Sequence, residues 1–381
     1  MANNGLEGVV AAATRLSEVD GERGELVVAG YAIGELAGRA TFEETTWLLW
    51  HGDLPAAAEL DAFRSALADE RELPPAGITL LRECVRAGVD PMDALRIAAG
   101  TISMAAGRDP AVAIVARCPS IVAAFWRLGR GAEPIAPRRD LGHAANFLYM
   151  LSGEEPDAER VRALETYLNT VIDHGLNAST FTARVITSTG SDLVSSIVGA
   201  LGALKGPLHG GAPGPALDMV FEIADPSRAE AYLRRKIEAG EKLMGFGHRI
   251  YKVRDPRADV LAAAAERMYT RGGDMSLYSL ARSIEATAIR LLEEYKPGRR
   301  LQTNVEFYTA LLLHGLGLEV PLFTPTFAIS RVSGWIAHAL EQRALNRLIR
   351  PQSEYTGPRD RRWVPLAERT ELTAGAAWRQ A

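Results

Sequence analysis

Helical periodicity is the feature that most restricts how this chain can fold. After the first 32 residues, apolar residues recur at helical spacing in segments 158–173, 191–204, 228–239, 257–271, 276–295 and 326–348. Thr41 with Glu44 forms a capping-box pattern, and Asp90 precedes a proline at the first position of a predicted helix. Further N-cap residues are predicted at Asp109, Asp157, Ser227 and Ser276. Strands and helices do not alternate, so the sequence predicts a mainly α fold of about fifteen helices.

The first 32 residues differ from this pattern. Two short apolar stretches, 9–16 and 25–31, flank residues 20–24, which have the composition of a turn. The segment therefore predicts a short N-terminal β-hairpin.

Stretches rich in glycine and proline divide the helical region. Those at 205–215 and 315–325 bracket about 100 residues, which is a plausible length for an inserted domain. We expect a large helical domain of residues 1–210 and 318–381 and an inserted small helical domain of residues 211–317. Clefts between domains are favoured binding sites, so we expect the active site there.

Charge and composition restrict the partners of the chain. Its 381 residues include 43 Lys and Arg against 47 Asp and Glu, a formal net charge of −4, which gives no general basic surface for nucleic acid. Arg117, Pro119 and Arg127 interrupt the most apolar stretch, so no membrane span is expected. Cys84 and Cys118 lack metal-ligand spacing and are expected to be thiols, although one disulfide stays open. We expect a cytoplasmic protein that binds neither nucleic acid nor membrane.

Three histidines lie beside glycines, which let backbone approach a ligand closely: His174, His209 and His248. A histidine in such a place can donate or accept a proton near neutral pH, and the alternative is a structural role inside a turn. The sequence has no HExxH or CxxC pattern for a metal, no G-x-S-x-G and no phosphate-binding loop. Acid–base chemistry without a metal or cofactor is therefore expected.

Arginines and one glutamate complete the candidate groups. Arg257, Arg331 and Arg350 could each pair with a carboxylate, although most arginines occupy solvated helix faces. Arg331 has apolar neighbours, among which an unpaired charge would be costly, and this favours an anion ligand. Glu306 precedes an apolar run, where it is either a helix N-terminal charge or a general base.

Taken in order, eight segments resemble the citrate synthase family of the short bacterial and archaeal type, from Gly5 to about Pro358. They are GLEGVVAAATRLSEVDGERGELVVAGY, TFEETTWLLWHGDLP, DHGLNASTFTARV, LKGPLHGG, GFGHRIYKVRDPRA, NVEFYTALLLHGLG, SRVSGWIAHALEQ and IRPQSEYTGP. The resemblance implies a two-domain helical homodimer that condenses acetyl-CoA with oxaloacetate and water to citrate and CoA. It also implies a place in the tricarboxylic acid cycle and no metal.

The resemblance also implies a role for each candidate residue. His209 would stabilise the enolate of the thioester, Glu306 would remove the methyl proton, and His248 would polarise the keto group of oxaloacetate. The groups implied to hold the substrate carboxylates are His174, Arg257, Arg331 and, from the other subunit, Arg350. Those implied to lie near the CoA phosphates are Lys252 and Arg299, with Arg300 beside them.

Two departures from the family pattern accompany this resemblance. Glu306 stands where the family has Asp, and Ala212-Pro213-Gly214-Pro215 replaces the usual A-N-E after His209-Gly210-Gly211. Two other functions stay open. One is 2-methylcitrate synthase, which uses propionyl-CoA, since one methylene discriminates by only about 1–3 kcal/mol. The other is a non-catalytic sensor of acyl-CoA or dicarboxylate, although a sensor has no need of His209.

Overall fold

Sixteen α-helices and three β-strands make up the described part of the chain. The computed structural model describes residues 5–6, 8–104, 109–209, 213–248, 250–345 and 347–369. The strands are β1 (Ser17–Asp20), β2 (Glu25–Val28) and β3 (Tyr31–Ala32). The helices are α1 (Ile33–Leu36), α2 (Phe42–His51), α3 (Ala57–Glu70), α4 (Pro75–Arg86), α5 (Pro91–Ala99), α6 (Pro110–Gly129), α7 (His143–Ser152), α8 (Ala158–Val171), α9 (Ala178–Ser188), α10 (Leu193–Leu204), α11 (Pro213–Ile223), α12 (Pro226–Glu238), α13 (Pro256–Gly272), α14 (Ser276–Tyr295), α15 (Val305–Gly315) and α16 (Phe323–Leu345). The predicted mainly α class is confirmed.

Side-chain caps begin several helices at the predicted residues. Thr41 Oγ1 accepts a hydrogen bond from the Glu44 N–H at 3.3 Å, and Glu44 Oε2 accepts one from the Thr41 N–H at 2.7 Å. This closes the capping box that precedes α2. The predicted N-caps Asp90, Asp109 and Asp157 are also confirmed.

Two of the predicted caps are wrong. Helix α12 begins at Pro226 and is capped by Asp225, whose Oδ1 accepts from the Ser227 N–H at 2.8 Å. Helix α14 begins at Ser276 itself, and Asp274 Oδ1 accepts from the Ser276 N–H at 2.9 Å. In both cases an aspartate two residues earlier supplies the oxygen that the serine was expected to supply.

The N-terminal β-hairpin is present, but its first strand lies later than predicted. β1 pairs with β2 in antiparallel register, with Asp20 opposite Glu25, and β3 pairs with β2. The stretch 9–16 was predicted as a strand, and the structure instead begins pairing at Ser17. Asp20 Oδ1 accepts from two N–H groups of the turn, at 3.0 and 2.9 Å, which sets the turn and hence the register.

Two long helices form the centre of the core. Helix α16 packs against α2, α6, α8, α9 and α10, and its Trp335 is completely buried. Helix α6 is long and apolar enough to cross a membrane, but 89% of its most apolar 18-residue stretch is buried inside the protein. Helix α6 therefore has the burial of a core helix. Cys84 and Cys118 are buried free thiols.

The chain divides into two compact units. One is Ala12–Ile349, and the other combines Met1–Ala11 with Arg350–Ala381. In the second unit, the described residues 350–369 are mostly exposed and include one 3-10 helix, Leu366–Glu368. The boundaries predicted at 210/211 and 317/318 stay a prediction. Residues 210–212, where the sequence departs from the family pattern, lie outside the described residues.

Candidate active site

The loop between α12 and α13 carries His248 in a fixed orientation. His248 Nδ1 accepts hydrogen bonds from the N–H groups of Ile250 and Tyr251, both at 3.1 Å. A backbone N–H can only donate, so Nδ1 is unprotonated and the neutral ring carries its proton on Nε2. Burial, followed by the nearby Arg257 charge, lowers the pKa of His248 to about 4. At neutral pH His248 is therefore an uncharged donor through Nε2.

A glycine makes the path of this loop possible. Gly245 has a φ of +86°, and a Cβ there would lie 2.9 Å from the Cβ of Phe307 in α15. The Asn304 side-chain amide donates to the Gly247 carbonyl at 2.8 Å. These contacts join the His248 loop to the beginning of α15.

His174 follows the end of α8 and faces His248. Its Nε2 lies 3.2 Å from the hydroxyl oxygen of Tyr251, and the centroids of the two imidazole rings are 5.8 Å apart. His174 is buried, and this burial, with the charges of Arg257 and Arg331, holds its pKa well below the ordinary value. His174 is thus a second neutral imidazole at the same point.

Arg257 lies in the first turn of α13 and pairs with the residue that caps it. Its Nε and Nη2 donate to the two carboxylate oxygens of Asp255, at 3.0 and 2.8 Å. Burial alone would lower the pKa of Arg257. The charge and the hydrogen bond of Asp255 together have a larger effect in the opposite direction, so the pKa of Arg257 is raised. No described residue accepts a hydrogen bond from Nη1, so its two N–H groups are available to an anion.

Arg331 is buried in the middle of α16. Its Nε donates to the Val171 carbonyl at 2.7 Å, and its Cζ lies 4.5 Å from the centroid of the Phe327 ring. Among the described residues, neither Nη atom has an acceptor. Burial lowers the pKa of Arg331 to about 10, with Asp173 opposing and Arg257 adding to the shift. A charged guanidinium whose two Nη groups lack an acceptor among the described residues is suited to bind a carboxylate.

Glu306 is the second residue of α15. The N-cap residue Asn304 accepts from the Glu306 N–H at 3.0 Å, which places the glutamate in the first turn. Burial raises the pKa of Glu306 to about 7, although the charge of Arg257 opposes the shift. A carboxyl group that titrates near neutrality can serve as a general base.

His209 lies after α10 and contacts the first turn of α9. Its Nε2 is 2.7 Å from Ser179 Oγ and accepts from the Ser179 N–H at 3.4 Å. The indole N–H of Trp335 donates to the same hydroxyl at 3.2 Å, so α16 supports this contact. Burial, followed by the Arg331 charge, lowers the pKa of His209 to about 4. The Ser179 hydroxyl also donates to Asn177 Oδ1 at 2.8 Å, so it links His209 to the N-cap residue of α9.

Six of the nine candidate residues are thus linked by contact or by charge: His174, His209, His248, Arg257, Glu306 and Arg331. Lys252 and Arg299 are exposed, in the loops before α13 and before α15, and their role toward CoA stays a prediction. Arg350 is exposed and belongs to the other compact unit, so its role also stays a prediction.

Sequence reasoning missed several residues that hold these groups. Tyr251 contacts His174 and donates to His248, and Ser179 contacts His209. Asp255 pairs with Arg257 and also accepts from the Val305 N–H at 3.2 Å. Only Asp255 had a visible signal, because it precedes a proline at a helix start. Within the described ranges, no three His, Cys, Asp or Glu side chains form a group that could hold a metal ion.

Neutral imidazoles, buried guanidinium groups and a carboxyl group of raised pKa define an acid–base enzyme for a small anionic substrate. Comparison with known proteins narrows this class of enzyme to one family. The family model described as "Citrate synthase, C-terminal domain" matches residues 5–352. "Citrate synthase 2" of Bacillus subtilis is 44% identical over 378 residues, covering 97% of this chain and 99% of that protein. "2-Methylcitrate synthase" of Mycobacterium tuberculosis is 39% identical over 368 residues, covering 94% and 91%.

A solved structure agrees with these sequence matches. The ternary complex of citrate synthase from Thermoplasma acidophilum with carboxymethyl coenzyme A and oxaloacetate aligns with a TM-score of 0.87 and 32% identity. The alignment covers 97% of this chain and 100% of that one. The chain belongs to the citrate synthase family and is an acyltransferase.

Proposed function

We propose that this protein is a citrate synthase, which condenses acetyl-CoA with oxaloacetate and water to give citrate and free CoA. The observation that carries the proposal is Glu306, a carboxyl group with a pKa of about 7 beside buried arginines and neutral histidines. Removing a proton from a thioester methyl group needs such a base, together with donors placed where negative charge develops.

Oxaloacetate binds through its two carboxylates. Arg257 and Arg331 both have N–H groups without an acceptor among the described residues, and these groups bind the substrate carboxylates. His174 adds a third group beside them. Arg350 of the second subunit of a homodimer completes the set. The keto oxygen accepts a hydrogen bond from His248 Nε2, whose proton the loop backbone keeps on that nitrogen.

The reaction then proceeds in three steps, which are removal of the methyl proton, formation of the carbon–carbon bond and hydrolysis of the thioester. Glu306 takes a proton from the methyl group of acetyl-CoA, and the electron pair moves to the thioester oxygen, which accepts a hydrogen bond from His209. The enolate carbon attacks the keto carbon, whose oxygen becomes an alkoxide and takes the proton from His248 Nε2. Water then cleaves the thioester, giving the carboxylic acid and the thiol of CoA, and the proton held by Glu306 replaces the one that His248 gave up. Fixed donors at both oxygens lower the barrier because negative charge develops there.

The two predicted domains, 1–210 with 318–381 and 211–317, close over the substrates and exclude water until the intermediate has formed. Lys252 and Arg299 bind the CoA phosphates. The protein acts in the cytoplasm, as a homodimer and without a metal, in the tricarboxylic acid cycle.

A second candidate is 2-methylcitrate synthase, in which propionyl-CoA replaces acetyl-CoA. The Mycobacterium tuberculosis relative, at 39% identity over most of both chains, supports it. The same residues would perform the same chemistry, and the two substrates differ by one methylene, worth about 1–3 kcal/mol in an apolar pocket.

Thiol release with oxaloacetate and either acetyl-CoA or propionyl-CoA, measured in parallel, tests both functions. We expect acetyl-CoA to give the higher kcat/KM. A preference for propionyl-CoA by more than about tenfold would favour the second candidate. No thiol release with either substrate would contradict the proposed function.

A further inference from the structure

The N-terminal β-hairpin touches the loop that carries His174. Ser17, the first residue of β1, donates from Oγ to Asp173 Oδ2 at 2.5 Å. The same hydroxyl accepts from the Gly175 N–H at 2.8 Å. One serine side chain therefore holds the residues on both sides of His174.

The turn of the same hairpin touches the loop that carries His248. The Gly21 carbonyl accepts from the Lys252 N–H at 2.8 Å. The Gly21 backbone also lies so close to Ile250 that a Cβ there would be 2.3 Å from the Ile250 carbonyl oxygen. Only a residue without a Cβ fits this approach.

The Ile250 segment in turn orients His248. The N–H groups of Ile250 and Tyr251 hold His248 Nδ1, and the Tyr251 hydroxyl reaches His174 Nε2. A shift of Ile250 would therefore disturb both histidines, which lie on segments more than seventy residues apart in the chain.

Asp173 is held from a second side. His338 Nδ1 accepts from Arg184 at 3.0 Å, so His338 Nε2 carries the proton and donates to Asp173 Oδ2 at 3.3 Å. Asp173 and His338 are completely buried. Ser17 therefore completes a network that fixes the start of the His174 loop from the hairpin and from α16.

We propose that the β1–β2 hairpin is a positioning element of the oxaloacetate site, in which Ser17 holds the His174 loop and Gly21 holds the His248 loop. The proposal rests on the proposed function, since oxaloacetate is the ligand that these histidines contact there. Neither Ser17 nor Gly21 is a group that the proposed mechanism brings to the substrate. Both act through the loops, so their loss changes the placement of the donors rather than their chemistry.

The first test is Gly21→Ala, with Gly34→Ala as the matched control. Gly21 lacks a left-handed φ, so the added methyl group acts by contact alone and displaces the Ile250 carbonyl. We expect kcat/KM for oxaloacetate to fall about tenfold to a hundredfold, as for a misplacement near 1 Å, with a smaller change in KM for acetyl-CoA. Gly34 is exposed, and its Cβ would meet nothing within 4 Å, so Gly34→Ala should keep wild-type values.

The second test compares Ser17→Ala with Ser17→Thr. Alanine removes both hydrogen bonds to the His174 loop, whereas threonine keeps the hydroxyl and suits a strand. We expect Ser17→Ala to weaken oxaloacetate binding, measured by calorimetry, and Ser17→Thr to restore most of it. Thermal unfolding midpoints of all variants show whether the fold is retained. If Gly21→Ala does not fold, the comparison of Ser17→Ala with Ser17→Thr tests the proposal by itself.

Wild-type kinetics in Gly21→Ala, or equal losses in Ser17→Ala and Ser17→Thr, would overturn the proposal. Thiol release by the wild-type enzyme is measured in the same assay. Its absence would instead contradict the proposed function, so the two failures are distinguishable.

Discussion

Burial keeps the histidines of this site uncharged and makes its base, Glu306, titrate near neutral pH. The pKa values of His209 and His248 are lowered to about 4, and that of Glu306 is raised to about 7. The cause is the same in each case, because removal from water disfavours the charged form of either kind of group. At neutral pH both histidines are uncharged donors, and Glu306 is close to half ionised.

Activity should therefore depend on pH through Glu306. A base must be ionised to take a proton, so kcat/KM should rise with pH through about 7 and be lost progressively below it. The pH profile of kcat/KM for acetyl-CoA measures this. A profile that stays flat between pH 5.5 and 8.5 would assign the proton transfer to another group.

Replacing Glu306 by Gln removes basicity but keeps the size of the side chain. We expect Glu306→Gln to lower kcat by about 10²–10⁴, the range for one acid–base group, with little change in oxaloacetate affinity. Glu306→Asp is the matched control, because it keeps the carboxylate and should retain measurable activity. Near-normal turnover of the Gln variant would contradict the assignment.

The same substitution should stabilise the fold above neutral pH. The folded pKa of Glu306 lies above the ordinary value of 4.5, so its contribution to stability is greatest below about pH 4.5 and is lost as the pH rises through about 7. Gln never ionises, so at pH 8 Glu306→Gln should unfold at a higher temperature than the wild type. Differential scanning calorimetry at pH 5 and pH 8 measures the difference, which should shrink at the lower pH.

The residues of the site were only partly predictable from sequence. Motifs pointed to His174, His248 and Arg257, because unusual residues stood together. Ser179 and Ser17 gave no signal, since their contacts join segments far apart in the chain, such as Ser17 with Asp173. A serine in a strand or a helix is common, and only the fold gives it a partner.

At the scale of elements, α16 connects the core with the site. It carries Arg331 and Trp335 on successive turns, and at Gly334 it meets the end of α8. A Cβ on Gly334 would lie 2.3 Å from the Ile172 carbonyl oxygen and 3.0 Å from Asp173 Oδ1. The close crossing of the two helices therefore requires glycine at this position.

Gly334→Ala should force α16 away from α8. We expect a loss of about 1–3 kcal/mol in the free energy of unfolding, as for other overpacked cores, together with weaker oxaloacetate binding because Arg331 moves. Urea denaturation and calorimetry measure the two effects. Gly202→Ala in α10 is the control, since the nearest atom to its Cβ would be Arg96 Cδ at 3.8 Å. Equal effects of both substitutions would contradict this account of the crossing.

Helices were more predictable than strands. The spacing of apolar residues placed α14 at 276–295, as observed, because a long amphipathic period is a strong local signal. The predicted strand at 9–16 was wrong, since pairing with β2 and the turn at Asp20 fix where β1 lies. Strand register depends on a partner, which local composition does not contain.

At the scale of the whole molecule, the proposed dimer shares each active site between its subunits. Arg350 opens the C-terminal part of the smaller compact unit, and its side chain is exposed. In the proposed function this arginine binds oxaloacetate in the partner subunit. Each site would then combine His209 of one chain with Arg350 of the other.

Mixing two inactive variants tests this sharing. In a heterodimer of Arg350→Ala and His209→Ala chains, one site receives both intact residues and the other receives neither. Random reassociation should restore activity to about a quarter of the wild-type value. Mass spectrometry of the mixture checks that heterodimers form. Mixed dimers as inactive as their parents would place Arg350 in its own subunit's site.

The apolar surface of α6 also matters while the chain is being made. Its early partners α3, α4, α5 and α7 leave the ribosome near the same time, but α16, which also covers it, is complete only at Leu345. Chain synthesis adds about 5–20 residues per second, so the side of α6 that α16 covers stays exposed for roughly ten to forty seconds after α6 emerges. During that time the nascent chain exposes part of a helix that is apolar enough to cross a membrane. Synthesis of this enzyme should therefore depend on chaperones that shield nascent chains.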